Sequence, residues 1–376
     1  MKKLGFGFMR LPLLDLDDQR SIDMAQVCQM VDTFLKNGFT YFDTAYMYHG
    51  FKSELALREA LVKRYPRECF TVATKLPTML LKTPDDPERI FQEQLEKCGV
   101  EYFDYYMLHN LCVNHYAIAK KFNCFSFLQE KKSKGKIKYI GFSYHDTAEL
   151  LDEILTAHPE VDFVQLQLNY LDWDNESIQS RKCHEIAMKH GKPVIVMEPV
   201  KGGTLANMPG SAEKLFKRYY PELSISSLAI RFAASHENVM MVLSGMSTID
   251  QVVDNTGYMQ NFKPLTDDEH DLVDQVVKIF NESIVVPCTA CSYCVADCPQ
   301  DIPIPKYFAL YNAEMQALNR DFSLQYEYYL NYAKTYGKAS DCKECGRCEE
   351  LCPQHIEIRK YLKEVAATFD KGNGDE

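Results

Sequence analysis

The chain reads as an α/β protein, a (β/α)8 TIM barrel continued by a small, mainly helical, cysteine-organised domain. Three observations predict this. Short β-rich runs alternate with longer helical patterns, and strand starts fall roughly every 25–35 residues over the first three quarters of the chain. Several of those runs are almost continuously apolar, as in Val194-Ile195-Val196-Met197 and Val239-Met240-Met241-Val242-Leu243, which marks parallel strands covered on both faces. Finally, eight of the 14 cysteines crowd into the stretch from Cys288 to Cys352. The expected layout is a barrel over 1–285, a cysteine domain over 286–365 and a tail over 366–376. A doubly wound open sheet competes, but Gly5 and Gly7 do not make the glycine-rich fingerprint expected after its first strand.

In order, strands are predicted at 4–9, 40–44, 70–75, 103–109, 137–143, 161–169, 193–199 and 239–245. The first helix, 24–36, places Val27, Val31, Phe34 and Leu35 on one face and stops at Asn37-Gly38, a good C-terminal pair. Ser53 is the expected N-cap of a helix over 53–63. Further helices are predicted at 87–98, 116–133, 147–157, 177–190, 225–235 and 249–259, and one more, 267–281, leads into the cysteine-rich region.

The 376 residues are 46% hydrophobic and 25% charged, which excludes disorder as the main state. A net charge of −11 argues against a broad nucleic-acid surface or an anionic membrane, since both need clustered Lys and Arg. No apolar stretch of ~7–15 residues precedes Arg10, and nowhere do ~18 uncharged apolar residues follow one another. The expectation is a cytoplasmic protein, where thiols stay reduced and cysteines serve metal or redox chemistry rather than disulfides.

The cysteines repeat one spacing twice: Cys288-x2-Cys291-x2-Cys294-x3-Cys298-Pro299 and Cys342-x2-Cys345-x2-Cys348-x3-Cys352-Pro353. Three thiolates at intervals of three can wrap one cuboidal cluster, while the fourth, before proline, reaches the other cluster. The expected assignment is crossed: Cys288, Cys291, Cys294 and Cys352 hold one 4Fe-4S cluster, and Cys342, Cys345, Cys348 and Cys298 the other. Zinc fits two well-separated pairs better than this triple spacing. The motifs resemble a bacterial-type dicluster ferredoxin domain, here with a long tyrosine-rich linker in which Tyr307, Leu310, Tyr311, Met315 and Leu318 keep a helical period. Those tyrosines are expected to pack, with electron transport the sharper alternative.

Four predicted strand ends carry Asp43, Lys75, His109 and Ser143, and Tyr48 follows just beyond the second. In (β/α)8 barrels the chemistry sits at these ends. Asp43, Tyr48, Lys75 and His109 together resemble the tetrad of the aldo-keto reductase family, over about residues 1–285. The resemblance implies NAD(P)-linked reduction of a small-molecule carbonyl, or the reverse alcohol oxidation. Tyr48 would act as acid and base, Lys75 would lower its pKa, Asp43 would hold Lys75 and His109 would orient the carbonyl. Ser143 and Gln165 match nicotinamide contacts; Met197 stands where relatives stack an aromatic ring. Lys201 and Gly203 lie in a segment resembling the pyrophosphate loop, and Asn255 matches an adenine contact. Gln251 replaces an arginine used against a 2′-phosphate, which leaves NADP versus NAD open, with Lys201 as the possible substitute.

Hydride carries two electrons whereas each cluster usually takes one, so direct coupling needs an intermediate such as a flavin, for which the chain shows no motif. A redox partner protein is the other outlet for the clusters. The competing reading is a non-catalytic nucleotide-binding redox sensor or electron-transfer subunit.

Overall fold

The computed structural model describes residues 2–16, 18–175, 178–282, 284–288, 290, 292–317, 323–352 and 354–370. Ser177 at the expected helix start, Cys291 of the first cysteine motif, Leu318, Pro353 and the last six residues of the tail lie outside the described residues.

Eight parallel strands, each hydrogen-bonded to its neighbours in sequence order, close into a barrel: β1 (Leu4–Gly7), β2 (Tyr41–Asp43), β3 (Thr71–Leu76), β4 (Phe103–Leu111), β5 (Ile137–Tyr144), β6 (Phe163–Gln167), β7 (Val194–Met197) and β8 (Val239–Gly245). Closure comes from β1 pairing with both β2 and β8. The alternation of side chains along each strand makes the interior and the outer wall two separate apolar layers. Inside, Tyr41, Ala73, Tyr105, Met107, Phe163, Ile195, Met241 and Leu243 form one cluster. Gly141 on β5 is what lets Phe163 turn inward, because a Cβ there would meet the Phe163 ring at 2.6 Å.

The helix Met24–Lys36 shows how local chemistry sets the wall. Asp23 accepts the Gln26 N–H at 3.0 Å as its N-cap, Val27, Met30, Val31 and Phe34 are buried, and Gly38 takes φ 76° just past the end. Two expectations change. The helix expected over 116–133 is two, Val113–Lys121 and Cys124–Ser133, because Asn123 between them adopts φ 50° and breaks the ladder. Ser53 does not cap; its buried hydroxyl donates to the Phe8 carbonyl at 3.0 Å and shares a 2.8 Å contact with the Thr44 hydroxyl. The segment it opens is α-helical over Ser53–Leu57 and widens into a π-helical turn over Arg58–Val62.

The chain forms two compact units. The first holds the barrel strands. The second gathers Tyr170–Gln179 and Val200–Ile225 with Asp267–Glu376, so it is discontinuous in sequence, unlike a simple division at 285. Its helices include Ile304–Met315, Leu324–Ala333 and Ile358–Phe369. Ile178, Phe308, Tyr328 and Leu362 belong to its core. The last helix runs past 366, where a tail was expected, because Val365 and Phe369 are buried in that core. Tyr307, Tyr311 and Tyr329 are buried with their hydroxyls on Gly337 O, Glu364 and Asp370. They pack and hydrogen-bond, as buried tyrosines do. No helix among the described residues is long and apolar enough to cross a membrane.

Candidate functional site

The same alternation that fills the barrel interior also builds the site. The inward positions at the C-terminal strand ends, one layer above the apolar cluster, are Asp43 on β2, Lys75 on β3, Ser143 on β5, Gln165 on β6 and Met197 on β7. On β4 the register shifts between Leu108 and Leu111, and Asn110 takes φ 57°. This bulge carries His109 and is pinned by Thr78 Oγ1 donating to the His109 carbonyl at 2.7 Å and by the Asn110 N–H donating to Ser143 Oγ at 2.8 Å.

Lys75 Nζ lies 2.5 Å from Asp43 Oδ1 and 2.8 Å from the Thr44 carbonyl oxygen, and the lysine is 1% exposed. The ammonium stands 5.1 Å from the centre of the Tyr48 ring, and the His109 ring meets that ring edge-on with centroids 5.9 Å apart. The structure thus brings Asp43, Tyr48, Lys75 and His109 together. Burial pulls Lys75 down, but the neighbouring Asp43 and Tyr48 outweigh it and carry its pKa above the ordinary value. Burial pushes the Tyr48 phenol above its ordinary 10.0, with the Lys75 charge opposing. Lys75 thus lowers the phenol's pKa as expected, but burial outweighs it and the net shift is upward. Burial, then the Lys75 charge, hold His109 well below its ordinary value and therefore neutral.

Sequence reasoning missed the groups that support these four. His49, Gly50 and Phe51 follow Tyr48 with φ 51°, 55° and 70°, a left-handed run costly for non-glycine residues. His49 anchors that turn by accepting the Leu11 N–H on Nε2 at 3.1 Å and contacting the Gln19 carbonyl through Nδ1 at 2.9 Å. Behind β3, Gln94 donates to the Lys75 carbonyl at 3.1 Å and to Glu54 at 2.6 Å, and burial pushes the Glu54 carboxyl up to about 7. His115 and His145 lie close enough to His109 to depress its pKa further, and burial carries His145 down to about 3. None of these has a spacing signal in sequence.

The expected nucleotide contacts divide. Gln165 is 2% exposed, and its one side-chain hydrogen bond is a long 3.5 Å contact from Nε2 to Asp43 Oδ2. Among the described residues its carboxamide is therefore poorly matched, with capacity for a further amide partner. Met197 is half-buried at the end of β7. Asn255 is satisfied internally, donating to Ser244 Oγ at 3.0 Å and accepting from the Tyr258 hydroxyl at 2.6 Å. Gln251 accepts the Ser247 N–H at 2.7 Å across the start of its helix. In the second unit, Lys201 is bound in a buried ion pair with Asp172, 2.5 Å apart, and is not a free cation. Gly203 turns with φ 102° and opens onto space at its Cβ position.

The cysteines of the second unit converge on two hollows. Cys288, Cys294 and Cys352 line one, with Ile304, Phe308 and Ile356. Cys298, Cys342, Cys345 and Cys348 line the other, with Lys343, Arg347 and Arg359. Among the described residues, the structure therefore groups Cys352 with Cys288 and Cys294, and Cys298 with Cys342, Cys345 and Cys348. Among the described residues the cysteines are free thiols, and no three His, Cys, Asp or Glu side chains close on a single-ion site. Sulfur donors drawn from both motifs into one hollow suit a polynuclear cluster. The other six cysteines follow no such pattern, and four of them are buried.

Comparison with known proteins follows the same division. The model of the aldo/keto reductase family matches residues 3–278, and that of the 4Fe-4S dicluster domain matches residues 287–357. Among solved structures, an aldo-keto reductase from Bacillus halodurans in its holo form is 23% identical with a TM-score of 0.58, covering 73% of this chain and 91% of its own. An aldo-keto reductase from Klebsiella pneumoniae in complex with NADPH is 17% identical at 0.57, covering 73% and 90%. The thermostable aldo-keto reductase Tm1743, bound to the inhibitor epalrestat, is 22% identical at 0.59, covering 73% and 94%. At these identities the structures speak for the fold, and the family model speaks for the lineage: the chain belongs to the aldo/keto reductase family, its barrel continued by a 4Fe-4S dicluster domain.

Proposed function

We propose that the barrel reduces a small-molecule carbonyl with NADPH or NADH, or oxidises the corresponding alcohol, and that each cysteine hollow holds a 4Fe-4S cluster exchanging electrons with a redox partner. The observation that carries the reading is the Lys75 ammonium, buried between Asp43 and Thr44 beneath the Tyr48 ring.

The reduced nicotinamide, when bound, supplies the hydride. Gln165 and Ser143 are the residues that would hold its amide. As negative charge develops on the carbonyl oxygen, the Tyr48 hydroxyl delivers its proton there, and Lys75 stabilises the phenolate left behind. Asp43 keeps Lys75 charged and aimed; neutral His109 donates a hydrogen bond that orients the carbonyl. In the oxidation direction Tyr48 starts as phenolate and takes the alcohol proton.

The pH dependence follows from the signs. A phenol pushed above 10.0 remains protonated through neutral pH, so carbonyl reduction holds there and declines only on the alkaline side, while alcohol oxidation rises over the same range. His109, held neutral, contributes no limb near pH 6.5. Steady-state oxidation of NADPH and NADH by a carbonyl panel, run anaerobically from about pH 5 to about pH 11, checks this; a reduction rate already lost between neutral pH and about pH 9 contradicts it.

A second reading draws on the internal partners of Asn255 and Lys201. A barrel that binds nucleotide without turnover would be a redox sensor, and tight binding with no oxidation of either cofactor by any carbonyl would favour it.

A further inference from the structure

The two hollows are alike in cysteine spacing and unlike in the charge of their walls. Around Cys288, Cys294 and Cys352 the wall is mainly apolar, made by the buried Ile304, Phe308, Ile356 and Ile358 with the neutral Ser292 and Gln354, and no charged side chain lines it among the described residues. Around Cys298, Cys342, Cys345 and Cys348 stand Lys343, Arg347 and Arg359, and among the described residues the carboxylate lining the same hollow is Asp297. Arg359 is neutralised by Glu349 at 2.7 Å, whereas Lys343 and Arg347 have no ion-pair partner among the described residues. The Glu344 N–H donates to Cys342 Sγ at 3.4 Å, and Cys345 is the exposed member of the described set.

These differences act on reduction in one direction. Adding one electron to a cluster held by four thiolates adds one negative charge to a group that is already anionic. Nearby cations, an N–H aimed at sulfur and access to water stabilise that charge; an apolar wall penalises it. Resting on the reading that each hollow holds a 4Fe-4S cluster, we propose that the two clusters are electronically inequivalent. The one held by Cys298, Cys342, Cys345 and Cys348 has the higher potential and is the first to be reduced, and Lys343 and Arg347 are the residues that set the gap. The step is a one-electron transfer from an external one-electron reductant to that cluster, with no bond made or broken and no proton moved. Its consequence is that an electron entering the domain rests at the cationic cluster.

The test is a dithionite-poised redox titration of the full chain, purified anaerobically and followed by EPR. Two waves are expected. In Lys343→Gln and Arg347→Gln the ratio of reduced to oxidised first cluster, at a fixed potential on its wave, falls by about tenfold, a shift of about 59 mV to the negative for a one-electron couple, and the second wave stays in place. Both side chains are exposed, so neither change threatens folding. A single common potential that neither variant moves, or variants that move only the lower wave, overturns the proposal. Iron and sulfide measured on the same samples separate the two levels of failure. Full content with equivalent clusters sinks the asymmetry alone, whereas content well below two clusters sinks the cluster reading with it.

Discussion

Tyr48→Phe is expected to lower carbonyl reduction by about 10²–10⁴-fold in kcat, with nucleotide binding retained. The substitution removes one oxygen and little else. The ring keeps its edge contact with His109 and its place over Lys75, and the left-handed turn that follows is held through His49, not through the phenol. What disappears is the phenolic proton donor, whose ring packs beside both Lys75 and His109. Measured kcat and nucleotide Kd on the wild type and the variant check this. Wild-type turnover in Tyr48→Phe would remove Tyr48 from the mechanism, and a matching loss of nucleotide affinity would assign it to binding instead.

The second large effect concerns the cysteines and tests the crossing directly. Cys298→Ala and Cys345→Ala, which come from different motifs but line the same hollow, are expected to abolish the same EPR signal and about half of the iron and sulfide. Cys352→Ala should instead abolish the signal shared with Cys288 and Cys294, although it lies only four residues from Cys348. If loss followed the linear motifs, so that Cys298→Ala grouped with Cys288→Ala, the crossed assignment would be wrong. Because cluster binding stabilises only the folded state, each variant is also expected to weaken the helical core around Tyr307 and Phe308.

Much of this was legible from residues in order. The barrel could be read because buried parallel strands are continuous apolar runs, and the tetrad because barrels place their chemistry at strand ends. The grouping of Cys352 with Cys288 and Cys294, and of Cys298 with the second motif, could be read because x2 and x3 spacings direct thiolates differently. Other features depend on contacts between distant segments and leave no local pattern. Lys201 looks like a free cation until Asp172 is found beside it. Ser53 looks like a helix cap until Phe8 and Thr44 take its hydroxyl. The net upward shift of Tyr48 was hidden for a related reason: the lysine that lowers its pKa is visible in sequence, but the burial that outweighs that charge is a property of the assembled barrel top. The differing walls of the two cysteine hollows come from residues outside the repeated motif, such as Phe308 and Arg359, and so are hidden in a repeat of identical spacing.

The central claim is that hydride passes directly between nicotinamide and carbonyl at Tyr48, with the clusters outside that step. Anaerobic turnover with a reduced nicotinamide deuterated at the transferable position, followed by mass analysis of the alcohol, tests it most directly. The account predicts one deuterium on the former carbonyl carbon of each product molecule. Product free of deuterium, with the label lost to solvent, would show that the reducing equivalents travel as separate electrons and protons and would contradict it.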